Sequence, residues 1–160
     1  MVPRSVADIM SRNVKSVQRG TPLLDAVKEM HLHNIGALVI TEQGRPVGIF
    51  SERDLLKRVV ATGLDPRGAT VDQAMTGKLI SVPPDESFAS LCEKMHVGNF
   101  RHLPVIDGEK LMGMVSVRDV LSVVAREGLG IVPSGRGSRG SKKKKSSKAK
   151  PAKKKGKKKR

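Results

Sequence analysis

The chain has 160 residues, 31 of them Lys or Arg and 15 Asp or Glu, a length that suits a single domain. The charge is segregated: residues 132–160 hold 15 of the basic residues and no acid, so residues 1–131 are nearly neutral and the net charge of +16 belongs almost wholly to the C-terminal segment. A disulfide framework is excluded by the single cysteine, Cys92, and an aromatic core by the absence of Trp and Tyr. No run approaches the roughly 18 apolar residues of a membrane-spanning helix, and the start lacks the apolar stretch of a signal peptide, so the chain reads as soluble and cytoplasmic.

An internal duplication organises the elements. Residues 6–63 overlay residues 71–128 at one constant offset without a gap, and about a quarter of the positions are identical. Val6 falls on Val71, Met10 on Met75, Met30-His31 on Met95-His96, Asn34 on Asn99 and Gly48 on Gly113. Each copy opens with a short helical segment, residues 6–10 and 71–75, followed by an extended piece, residues 14–17 and 79–82. A helix comes next. Thr21 is placed to cap it, Pro22 suits the first helical position, and Leu23, Ala26, Val27 and Met30 form one stripe; Phe88, Leu91, Cys92 and Met95 repeat that stripe. Cys92 therefore reads as a small buried hydrophobe. Two apolar strands follow, residues 37–40 and 47–50, then 103–106 and 112–115, with Gly44 and Gly108 in the turns. A second helix closes each unit, residues 52–61 and 117–126, with Gly63 and Gly128 expected just past their ends in the left-handed region. Each unit is β-α-β-β-α and too small to bury a core alone, so the two copies are expected to pack face to face. Residues 62–69 link them. The boundaries are residues 1–65, 66–131 and a C-terminal segment, 132–160.

The runs Gly48-Ile49-Phe50-Ser51-Glu52-Arg53-Asp54 and Gly113-Met114-Val115-Ser116-Val117-Arg118-Asp119 resemble the signature of the CBS domain. So do the strand openings Asn34-Ile35-Gly36-Ala37-Leu38-Val39-Ile40 and Phe100-Arg101-His102-Leu103-Pro104-Val105-Ile106. The resemblance covers about residues 5 to 128. It implies an α/β (α+β) fold in which two tandem CBS repeats pack as a pseudo-twofold pair. It also implies a cleft between the repeats for an adenosine-containing ligand (AMP, ADP, ATP, S-adenosylmethionine or a dinucleotide), a non-catalytic regulatory role, and a homodimer. No obligatory cofactor is implied; the adenine nucleotide is a regulatory ligand.

By that resemblance Asp54 and Asp119 would take the ribose hydroxyls, and Ser51 and Ser116 the ribose or phosphate edge. A carboxylate is acceptor-only and suits a cis-diol; the same Ser-x-x-Asp spacing is also a helix capping box, which by itself accounts for either copy. Arg53 and Arg118 stand beside these acids, as phosphate contacts or as surface ion pairs. Arg101 and His102 supply a basic pair where the first repeat has Gly36 and Ala37, so the two clefts are chemically unlike. The backbone at Ser16 and Ser81 would meet the adenine edge, or form ordinary strand. His31, His33 and His96 lack acid or thiolate partners at ligand spacing, so no metal is expected. No phosphate-binding Gly-rich loop or nucleophile elbow is present, and an enzyme is not expected.

The last segment is Pro, Ser, Gly and Arg and then Lys-rich. Such a composition is expected to be disordered. Its charge suits DNA, RNA or another polyanion, held without sequence preference and with strong salt dependence. The alternative function is therefore a nucleic-acid-associated protein in which the repeat pair is a dimerising scaffold.

Overall fold

The computed structural model describes residues 3–128; the C-terminal basic segment anticipated above lies outside the described residues. The fold is mixed α/β with two small sheets. The first repeat runs β1 (Ser16–Gln18), α1 (Leu23–His33), β2 (Ala37–Glu42), β3 (Arg45–Ser51) and α2 (Glu52–Asp54), which continues as a π-helical turn, Leu55–Val60. The second runs α3 (Phe88–Val97), β4 (His102–Asp107), β5 (Lys110–Ser116) and α4 (Val117–Gly128). A 3-10 turn precedes each, Val6–Asp8 and Val71–Gln73.

β2 and β3 form an antiparallel hairpin with Leu38 opposite Phe50, and β1 joins β2 in parallel. The hairpin β4–β5 repeats the pattern with Leu103 opposite Val115. The expected first strand of the second repeat shrinks to one parallel bridge, Val82 with Val105. Proline explains this: Pro84 and Pro104 stand where the first repeat has Arg19 and Val39, whose N–H groups donate to the Thr41 and Lys15 carbonyls, and a proline has no N–H to donate. Only the bonds from Val82 to the Pro104 carbonyl and from Ile106 to the Val82 carbonyl survive, both at 3.0 Å.

Three local expectations are corrected. Pro22, not Thr21, is the cap residue of α1, and the Thr21 hydroxyl instead donates to the Gln18 carbonyl at 2.6 Å. The closing helix of the first repeat holds a π turn where a regular helix was expected. α4 runs to Gly128 itself, whereas Gly63 follows its helix with φ of 72° as anticipated. Asn34 and Asn99, with φ of 51° and 52°, turn the chain from each long helix toward the next strand; asparagine tolerates that left-handed region because its side chain bonds locally.

The two cores are built reciprocally. Leu23, Ala26, Met30, Leu38, Ile40 and Phe50 of the first repeat are completed by Ala69, Val71 and Ala74 from the start of the second. Leu91, Met95, Leu103 and Val115 of the second are completed by Val6 and Met10 from the start of the first. The crossing is held by backbone bonds that obey the duplication: Val6 N–H to the Glu86 carbonyl and Val71 N–H to the Thr21 carbonyl, both 2.9 Å. Beyond its turn, each leading segment runs along the opposite hairpin. Ser11 and Met114 exchange bonds of 2.9 Å; Thr76 and Ile49 exchange bonds of 2.8 and 3.1 Å. Gly48 and Gly113 permit this approach. A Cβ at Gly113 would lie 2.9 Å from the Ser11 carbonyl oxygen and 2.7 Å from the Met10 sulfur.

Candidate functional site

Where a leading segment crosses a hairpin it leaves a cleft against the Ser-x-x-Asp corner, and the duplication makes two of them. The first is bounded by Asp54 with Ser51 and Arg53, by Thr76 and Lys78, and by Phe100; its volume is about 200 Å³. The second is bounded by Asp119 with Ser116 and Arg118, by Ser11 and Lys15, and by Ala37; its volume is about 470 Å³. Gly36, Glu52, Arg101 and His102 border both clefts.

Each corner is locked by the same local chemistry. Ser51 N–H and Oγ both donate to Asp54 Oδ2, at 2.9 and 2.6 Å, and Asp54 N–H donates back to Ser51 Oγ at 3.3 Å. The second corner repeats this at 2.8, 2.6 and 3.3 Å between Ser116 and Asp119. This is the capping arrangement, so the motif certainly serves helix initiation. The remaining oxygen distinguishes the copies. Asp54 Oδ1 accepts from the Thr76 hydroxyl at 3.2 Å and pairs with the Arg58 guanidinium at 3.5 Å. A carboxylate offers about four acceptor positions; at Asp54 both oxygens are engaged, Oδ1 by one hydrogen bond and one ion pair. Among the described residues, Asp119 Oδ1 has no partner, so two positions stay open there.

The wall between the clefts is asymmetric because Arg101 and His102 fall where the first repeat has Gly36 and Ala37. The His102 ring lies against Gly36: a Cβ on Gly36 would stand 3.0 Å from Cε1 and 3.4 Å from Glu52 Oε2. Burial pushes the His102 pKa below its ordinary value, with Glu52 and Asp119 pulling it up and Arg101 and Arg118 pushing it down. Arg53 crosses between repeats, donating to the Asn99 carbonyl at 2.9 Å.

Of the residues singled out from sequence, Gly36, Ala37, Ser51, Arg53, Asp54, Arg101, His102, Ser116, Arg118 and Asp119 therefore border a cleft. Ser16 and Ser81 do not; the bordering positions lie just before them, at Val14 and Lys15 and at Lys78 and Ile80. Sequence reasoning missed Thr76 and Ser11, whose hydroxyls occupy matching positions of the duplication, and Glu52, which the apolar Val117 replaces in the second copy. It also missed Arg58, four residues after Asp54, a spacing at which helical side chains meet. His33 pairs with Glu29 at 3.3 Å, and no three His, Cys, Asp or Glu among the described residues gather as metal ligands. Cys92 is half-buried and burial raises its thiol pKa, which keeps the thiolate scarce.

The family profile described as CBS domain matches the chain twice, over residues 6–61 and 71–126. The chain belongs to the CBS-domain family. It is 33% identical over 135 residues to the CBS domain-containing protein CBSX3, mitochondrial, of Arabidopsis thaliana, with 77% of this chain and 66% of that protein covered. It is similar to the structure of a putative signal-transduction protein with CBS domains from Burkholderia ambifaria, with TM-score 0.73, 32% identity, and 78% and 96% of the two chains covered. It is also similar to the CBS domain pair of protein MJ0100 in complex with 5'-methylthioadenosine and S-adenosyl-L-methionine, with TM-score 0.71, 26% identity, and 79% and 98% covered. No helix among the described residues of this CBS pair is long and apolar enough to cross a membrane.

Proposed function

We propose that this CBS pair is a non-catalytic regulatory module that takes an anionic adenosine-containing ligand in the Asp119 cleft and reports its presence to a partner. The observation that carries the reading is the open Oδ1 of Asp119, which offers two acceptor positions beside a cleft wall, the number a ribose cis-diol needs. The cleft volume of about 470 Å³ falls in the usual range of ligand pockets, about 300–1,000 Å³. The MJ0100 pair, of the same fold, holds two adenosine-bearing ligands. Lys15, Arg101 and Arg118 outnumber Glu52 and Asp119 on the walls, which favours phosphate over a sulfonium. AMP, ADP, ATP or a dinucleotide is therefore preferred to S-adenosylmethionine. Titration calorimetry tests this. AMP should bind, S-adenosylmethionine should bind more weakly, and Asp119→Ala should cost about tenfold to a hundredfold in affinity, the worth of hydrogen bonds to a charged group. Unchanged AMP affinity in Asp119→Ala removes the assignment.

The module is further proposed to work as a homodimer. Two pairs of exposed large apolar side chains on the helices are related by the duplication, Leu32 with Val97 and Leu56 with Leu121, and Val60 and Val124 are exposed as well. A self-complementary twofold contact would cover them. Sedimentation should show a dimer that Leu56→Glu with Leu121→Glu turns into a monomer; a monomeric wild type refutes it.

A second reading is favoured by one observation, the concentration of 15 basic residues and no acid in residues 132–160. In it this segment attaches the module to DNA, RNA or another polyanion through counterion release. Deleting residues 132–160 should leave nucleotide titration intact and abolish salt-sensitive DNA retention. If full-length protein is not retained on DNA at low salt, the reading fails.

A further inference from the structure

The two Ser-x-x-Asp corners are alike up to one carboxylate oxygen, and the difference begins in the helix that follows. In α4 the regular α-helical turn buries Val123 and leaves Val124 half exposed. After α2 the π turn Leu55–Val60 accommodates an extra residue, so the buried position passes to Val59. Arg58, which the duplication aligns with Val123, is left outside the core. It sits beside the Asp54 corner: Nε lies 3.5 Å from Asp54 Oδ1, Nη1 donates to the Met75 carbonyl at 2.6 Å, and Nη2 donates to the Thr76 hydroxyl at 3.3 Å. Thr76 in turn donates to the same Oδ1 at 3.2 Å. The second corner has a valine at the aligned position and no basic residue in α4 between Arg118 and Arg126.

We propose that Arg58, aimed by the π turn, locks the Asp54 cleft, so that each chain binds one nucleotide, in the Asp119 cleft. The inference rests on the ligand reading above and adds which cleft works and what closes the other. A ribose entering the Asp54 cleft must displace either the guanidinium or the Thr76 hydroxyl to find an acceptor. Those groups hold each other as well as the carboxylate, so their loss is not confined to one bond. The Asp54 cleft, at about 200 Å³, is also below the usual range of ligand pockets, about 300–1,000 Å³, as expected of a space closed by its own side chains.

The test counts AMP bound by the full chain, by equilibrium dialysis with calorimetry. The wild type should bind one AMP per chain, Asp54→Ala should bind it with unchanged affinity, and Asp119→Ala should bind none in the same range. The decisive protein is Arg58→Ala combined with Asp119→Ala, which should recover one site, at least tenfold tighter than Asp119→Ala alone, and lose it again when Asp54→Ala is added. Arg58→Gln replaces Arg58→Ala if circular dichroism shows that the latter is unfolded. Two AMP per wild-type chain, or binding in Asp119→Ala that Asp54→Ala abolishes, shows the Asp54 cleft open and overturns the lock while the nucleotide reading stands. Failure of both Arg58 variants to recover a site equally overturns it. No AMP bound by the wild type overturns the nucleotide reading, and the inference falls with it.

Discussion

His102 carries the charge chemistry of the wall between the clefts. It is pressed against Gly36 and faced by Glu52 and Asp119 on one side of the balance and by Arg101 and Arg118 on the other. Burial dominates, so the folded protein releases the imidazolium proton at a lower pH than the unfolded chain, whose histidine titrates near about 6.5. Between those two values the unfolded state binds more protons, and stability rises with pH there. The contribution is present above about pH 6.5 and is lost as pH falls through the folded value. Asp8, Asp72 and Glu86, whose pKa values are lowered, lose their contributions only in the carboxylate range, below about pH 4.5. Urea unfolding between pH 7.5 and 5.5 should therefore show a decline in the wild type that His102→Gln reduces; parallel curves would mean that this ring does not carry the effect. At this scale the sequence made Ser51, Asp54, Ser116 and Asp119 visible because a local motif repeats at a fixed offset. It did not reveal which carboxylate keeps a free oxygen, since Arg58 and Thr76 reach Asp54 from a helix and from the other repeat.

The strands and long helices were legible because each is an apolar run with its own period and punctuation: the stripe Leu23, Ala26, Met30 and the hairpin glycines Gly44 and Gly108. Two elements were not. The short strand before α3 fails for want of N–H groups at Pro84 and Pro104, and the closing helices differ in register although their sequences align without a gap. Alignment pairs Val59 with Val124, whereas the structure buries Val59 and Val123 and leaves Val124 48% exposed. Nothing local announces the π turn, because the residues around it suit an ordinary helix; its effect is to place Val59 in the core. The two readings separate in mutants. Val123→Ala should destabilise by about 1–3 kcal/mol, the loss of buried methyl groups. Val124→Ala should stay within about 0.5 kcal/mol, as surface changes do. Chemical denaturation of the two variants decides between them, and the reverse order would restore the ungapped register.

The duplication predicts two units packed face to face, and at the scale of the whole molecule the structure adds that neither core is made by one unit. Val6 and Met10 belong to the first repeat in sequence and to the second in packing, while Ala69, Val71 and Ala74 do the opposite. That exchange was hidden because each leading segment carries the same apolar pattern whichever hairpin it meets. Its consequence is thermodynamic. If either repeat opened alone it would withdraw the segment that completes the other core, so partial unfolding removes apolar burial from both and is disfavoured relative to complete unfolding. A truncation in the first leading segment should then lower the stability of the whole. Met10→Ala, which empties a position only 9% exposed, should cost about 2–5 kcal/mol. The amide resonances of Leu38 in the first hairpin and Leu103 in the second should vanish at one common urea midpoint, in the variant as in the wild type. A variant in which Leu103 is lost at lower urea while Leu38 persists would show that the repeats fold separately and that the exchanged segments only decorate two independent cores.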